Sequence, residues 1–117
     1  MVEPAHLVGT GGAIGAVLRY SVGLWLDSER FPFATLAVNV LGSFLLGLVV
    51  FLGPGENATF FLGTGLCGAF TTYSSFSVET VRLWESGDRL RAAIYAGGTL
   101  SVCLLAVGAA RLLTLLL

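Results

Sequence analysis

The chain has no lysine, a single histidine, two cysteines and few charges of either sign. Charged residues are 11% of its 117 positions, against about 25% in soluble domains. That shortage excludes an ordinary water-facing globular surface. The lone histidine, His6, stands at the edge of the first apolar run, a poor position for a catalytic base, and no soluble catalytic domain has room here. Cys67 and Cys103 lie inside apolar runs without metal or redox spacing, so they read as packing residues, Cys103 being the better placed to line something. A net charge of −1 argues for neither nucleic acid nor an acidic substrate. Met1-Val2-Glu3-Pro4 lacks the basic start of a cleavable signal, so the first apolar run is expected to stay.

What remains is apolar. Hydrophobic residues make up 56% of the chain, and the mean hydropathy is +0.89. Four spans can be drawn, roughly Ala5–Leu26, Ala34–Gly53, Thr59–Trp84 and Ala92–Leu115, each meeting the requirement of about 20 residues to cross a bilayer core. The expected fold class is therefore all-α, one domain over residues 1–117, crossing the cell membrane four times with both termini on one side. Connections are short: Asp27-Ser28-Glu29-Arg30, Gly53-Pro54-Gly55 and Glu85–Arg91. Arg30, Arg89 and Arg91 share one side, while Arg111 and the terminal amine favour the other. Positive residues prefer the cytoplasm, so the first and third loops are expected inside. The excess is only a few charges, and insertion in both orientations stays open.

One stretch is out of keeping with this background. Gly68–Glu79, GAFTTYSSFSVE, carries six hydroxyls on Thr71, Thr72, Tyr73, Ser74, Ser75 and Ser77. Insertion does not need them, and each left unpaired in hydrocarbon costs several kcal/mol. Gly63, Gly65, Gly68 and Ala69 lead in, and Phe70 and Phe76 lie among them, a mixture suited to a helix broken where its backbone faces water or an ion. Helical spacing also places Thr35, Asn39 and Ser43 on one stripe, Tyr95, Thr99 and Cys103 on another, and Thr72, Phe76 and Glu79 or Thr80 on a third. Any single stripe is what interhelical hydrogen bonding requires. Three stripes together with the hydroxyl cluster point to a lined conduit. Gly11-Gly12-x-x-Gly15-Ala16 and Ser43-x-x-x-Gly47 permit close helix packing. Gly63-Thr64-Gly65-Leu66-Cys67-Gly68 fits a dinucleotide fingerprint, but that motif needs a soluble parallel sheet, and none is expected.

Uncharged donors without an unpaired buried carboxylate suit an anion better than a cation, and electropositive ring edges add to this. Arg19 stands near the end of the first span, while Glu79 and Arg82, three apart, are placed to pair with one another.

Four motifs carry a resemblance: Gly11-Gly12-Ala13-Ile14-Gly15-Ala16 before Arg19-Tyr20; Pro32 and Thr35 before Asn39 and Gly42; Gly65-x-x-Gly68; and Thr71-Thr72-Tyr73-Ser74-Ser75-Phe76-Ser77 before Glu79. Along nearly its whole length the chain resembles the Fluc (CrcB) family of fluoride channels. The resemblance implies a passive fluoride-selective channel that exports fluoride and so protects the cell. It implies a dual-topology dimer, two subunits packed antiparallel, with two pathways, and a structural, untransported Na⁺ held at the break in the third span by the backbone carbonyls of Gly68 and Thr71. It makes Asn39 a pore donor and Phe76 an aromatic ring whose edge meets the ion. Thr72 and Ser75 supply hydroxyls, Tyr95 and Thr99 line the wall, and Arg19 draws anions into a vestibule. Tyr73 departs from the family's usual phenylalanine. A homodimer is implied, with a heterodimer of oppositely oriented sister subunits as the alternative. A rival four-span architecture, the proton-coupled small multidrug exporter, needs a carboxylate in the first span, where this chain has none.

Overall fold

The computed structural model describes residues 2–26 and 30–117. Asp27, Ser28 and Glu29, expected in the first turn, lie outside the described residues. Every regular element is helical. Helix α1 runs Pro4–Trp25 and α2 runs Phe33–Leu52. The next segment, α3, joins a short α-helical turn Glu56–Ala58, a π-helix Thr59–Cys67 and a final α-helical turn Gly68–Phe70. Helix α4 runs Tyr73–Glu85 and α5 runs Arg89–Leu116. The loop expected over Glu85–Arg91 is shorter than its sequence suggests, because α5 begins at Arg89. Asp88 causes the early start: its carboxylate accepts the Arg91 N–H at 3.1 Å and holds the Arg91 guanidinium at 3.4 Å. Gly53 ends α2 in the left-handed region, φ 59°, with its N–H returned to Val49 at 3.2 Å. Pro54 then prevents continuation.

Among the described residues three helices, α1, α2 and α5, are long and apolar enough to cross a membrane. The third apolar span of the sequence is divided between α3 and α4, which part at two extended residues, Thr71 (φ −84°, ψ 163°) and Thr72 (φ −150°, ψ 123°). The nine-residue π stretch was not foreseen. Its wide turns are rare, and such departures recur at functional places.

Glycines set the packing. A Cβ at Gly11 would strike the Phe61 carbonyl, and one at Gly15 the Leu66 carbonyl. One at Gly65 would sit 2.7 Å from the Val8 carbonyl. Helices α1 and α3 therefore meet backbone to backbone, as small residues allow in lipid. Helix α2 lies along α5, where Gly47 faces Ala110, and α4 leans on α5. The result is a slab 53 × 31 × 20 Å. Its buried apolar set is small (Val38, Val49, Cys67, Phe70, Ala92, Tyr95 and Ala110), whereas many large apolar residues face outward, Trp25 at 88% and Leu116 at 85% exposure. An apolar exterior is what a hydrocarbon solvent asks for.

Gly15→Ala is expected to destabilise the protein by about 1–3 kcal/mol, because the methyl meets backbone that cannot give way. Gly97→Ala has open space around it and should stay within about 0.5 kcal/mol of the parent. Unfolding in detergent micelles checks both.

Candidate functional site

The site begins at the broken backbone. In a continuous helix the Thr72 N–H would donate to the carbonyl of Gly68. Here it donates to Asn39 Oδ1 at 2.8 Å, and Asn39 Nδ2 donates back to the Thr72 carbonyl at 3.0 Å. One amide side chain thus satisfies both peptide groups of the extended residue and frees the Gly68 carbonyl from that bond. Thr72 then caps α4, its hydroxyl accepting the Ser75 N–H at 3.1 Å and lying 3.2 Å from Ser74 Oγ. The Thr71 N–H and hydroxyl both donate to the Cys67 carbonyl, at 3.0 and 2.9 Å. Gly42 makes room for the Thr71 methyl, where any Cβ of its own would collide.

Two depressions flank the second half of the span. A groove of about 360 Å³ is lined by Asn39, Gly68, Thr71, Thr72, Tyr73, Phe76, Thr99 and Cys103, among others. The second, about 390 Å³, lies toward the loops and is lined by Arg30, Phe31, Thr35, Glu79 and Arg82. Between them runs an aromatic series: Tyr73 to Phe76 at 6.1 Å, Phe76 to Tyr95 at 5.3 Å, and Tyr95 edge-on to Phe31 at 5.4 Å. Beside it the Glu79 carboxylate takes one hydroxyl on each oxygen, from Thr35 and from Tyr95, both at 2.9 Å. The Thr99 hydroxyl, in a residue only 5% exposed, has no hydrogen-bond partner among the described residues. Buried hydroxyls are nearly always paired, so this donor calls for something inside the groove.

Comparison with known proteins agrees with this architecture. The family described as CrcB-like protein, Camphor Resistance (CrcB), matches residues 6–111. The chain belongs to the CrcB family. It is 51% identical over 109 residues to fluoride-specific ion channel FluC 2 of Haloarcula marismortui, covering 93% of this chain and 92% of that one. FluC 2 of Natronomonas pharaonis is 53% identical over 103 residues, covering 88% and 87%. FluC of Idiomarina loihiensis is 46% identical over 113 residues, covering 91% and 88%. This is a multi-pass membrane protein.

Within this CrcB fold the residues singled out from sequence do not all share one surface. Asn39, Thr72, Tyr73, Phe76 and Thr99 meet in the groove together with Gly68 and Thr71. Tyr95, 1% exposed, lies behind Phe76. Ser75 stands in the first turn of α4 with its N–H engaged by Thr72. Arg19 is outside both depressions; its Nη1 donates to the Thr71 carbonyl at 3.5 Å. The expected pairing of Glu79 with Arg82 does not form; the Glu79 carboxylate takes the Thr35 and Tyr95 hydroxyls, and among the described residues the ion pair is Arg91–Asp88. Phe31 had not been singled out, and nothing periodic around Pro32 marked it.

Asn39→Ala should leave both Thr72 peptide groups without partners, a cost of about 1–3 kcal/mol for each. Asn39→Asp keeps an acceptor for the N–H but turns a second oxygen against the Thr72 carbonyl, and should be destabilised as well. Thermal unfolding in detergent tests this: parental melting of the alanine variant would show that the clamp contributes nothing.

Proposed function

We propose that this chain is the subunit of a passive, fluoride-selective channel of the cell membrane, working as an antiparallel homodimer with its groove as part of the pathway. The carrying observation is the partnerless Thr99 hydroxyl beside the clamped break, in a family whose curated relatives are named fluoride-specific ion channels. Fluoride is small and strongly hydrated, so a selective path must exchange its water for close, uncharged donors. The groove offers the Thr99 hydroxyl, the Thr72 hydroxyl and the second Nδ2 hydrogen of Asn39. The rings of Phe76 and Tyr73 would turn electropositive edges toward the ion, with Tyr95 backing Phe76 and Ser75 holding the Thr72 hydroxyl in register. Tyr73 is 81% exposed, which suits a ring completed by a partner subunit.

A structural Na⁺ would be held by the carbonyls of Gly68 and Thr71, hard neutral oxygens of the kind this ion takes. One observation supports the fit: the Asn39 clamp takes the Gly68 carbonyl out of the helical ladder. A twofold partner would double the two oxygens to four. The ion's contribution is positive charge at the subunit junction. The cation-exporter alternative finds no support: α1 carries no carboxylate, and Glu79 is engaged by two hydroxyls.

Purified protein in liposomes should release fluoride passively in the presence of Na⁺ and release negligible chloride, read with ion-selective electrodes. Proton-driven efflux of an organic cation would sink the proposal. Asn39→Asp should abolish fluoride release, because the carboxylate repels the anion and removes a donor. In Tyr73→Phe, release and stability should both stay near the parent, within about 0.5 kcal/mol for the latter, since no hydrogen bond ties the Tyr73 hydroxyl to the described residues.

A further inference from the structure

The glycine seam between α1 and α3 has a third rung that is not a glycine. Gly11 lies against the Phe61 carbonyl and Gly15 against the Leu66 carbonyl. One turn further along the same face of α1, Arg19 Nη1 donates to the Thr71 carbonyl at 3.5 Å. Steps of four on α1 thus meet steps of five on its neighbour, the spacing that the π turns of Thr59–Cys67 supply. Arg19 is placed by the seam, and a long side chain takes over where the backbone leaves the helix. The oxygen it meets has lost its helical partner. In a continuous helix the Ser75 N–H would donate to the Thr71 carbonyl, and here it goes to the Thr72 hydroxyl. Helix α1 carries no carboxylate, and among the described residues no acid lies within ion-pair reach of Arg19. A guanidinium keeps its charge in a protein, so this carbonyl is where the charge settles. The residue is exposed, with room for its head to move away.

We infer that Arg19 is a tethered competitor of the structural cation, addressing the same Thr71 oxygen and so setting how much Na⁺ the subunit needs. The ligand class is the hard monovalent cation, and the inference deepens the cation-site reading above and rests on it. A carbonyl oxygen has two lone pairs, so guanidinium and ion can approach it together. They then stand close together as like charges in a medium less screening than water, and each weakens the other's hold. The alternative is that the guanidinium swings off and its contact is lost. Either way the ion binds more weakly than it would beside a neutral side chain. In return, the guanidinium satisfies the Thr71 oxygen whenever Na⁺ is scarce.

The test is Na⁺ binding by the purified chain in detergent micelles, with N-methylglucamine chloride holding the ionic strength constant. Two quantities are followed as Na⁺ rises: bound radioactive Na⁺, and the melting temperature, which climbs once the ion exceeds its Kd. Arg19→Gln and Arg19→Met, which remove the charge, should half-saturate at roughly tenfold lower Na⁺ than the parent. Arg19→Lys, which keeps the charge, should half-saturate within about twofold of the parent. Arg111→Gln removes the same charge from over the Phe51 ring and should also match the parent. Weaker binding in the two neutral variants is what a mere prop for the carbonyl would give, and it overturns the competitor. Unchanged binding in them, an Arg19→Lys variant that binds as tightly as they do, or failure of both neutral variants to fold at any Na⁺ concentration overturns it too. A parent that binds no radioactive Na⁺ and melts alike at every Na⁺ concentration refutes the cation site itself instead.

Discussion

The paired hydrogen bonds between Asn39 and Thr72 are the constraint on which the rest of the structure depends. At membrane depth a peptide group finds no water, so a chain leaving a helix must find partners for its N–H and C=O elsewhere. An asparagine side chain holds a donor and an acceptor in one plane, the same complement as a peptide unit. Set on α2, Asn39 stands in for the missing turn, and the extended residue becomes affordable. The cap on α4 and the freed Gly68 carbonyl both follow from it.

The two halves of the broken span are anchored on different neighbours. The glycine seam at Gly11, Gly15 and Gly65 joins α3 to α1. The second half answers to α5, through the Phe76–Tyr95 ring contact and the Tyr95–Glu79 hydrogen bond. Helix α2 bridges them, with Asn39 at the break and Thr35 on Glu79. A polar stripe that would stitch two ordinary helices together here ties one helix to both pieces of another.

Much of this was legible in the chain itself. Apolar runs marked the membrane class, and the hydroxyl-rich stretch after Gly68 marked where a helix stops being self-sufficient. The stripe Thr35–Asn39–Ser43 was visible because helical spacing is local. What escaped was either non-local or conformationally subtle. Glu79 and Arg82 looked like partners because they are three apart, but two hydroxyls from α2 and α5 reach the carboxylate first, and no helical spacing reveals partners 44 and 16 positions away. The π turns of Thr59–Cys67 leave no periodic signature, since an all-round apolar segment reads alike at either pitch. Arg19 was legible as an intramembrane charge; its destination, a carbonyl 52 positions later, was not.

The slab's thinnest dimension is 20 Å, and a helix with its side chains is about 10–12 Å across. No residue is therefore more than one helix away from whatever surrounds the protein. A body two helices deep has no interior large enough to hide a wetted furrow, and hydrocarbon laid over the groove would strand its hydroxyls. Whatever packs against that face, lipid or protein, touches the residues that hold the break, so the stability of the fold must depend on what surrounds the chain as well as on the chain itself.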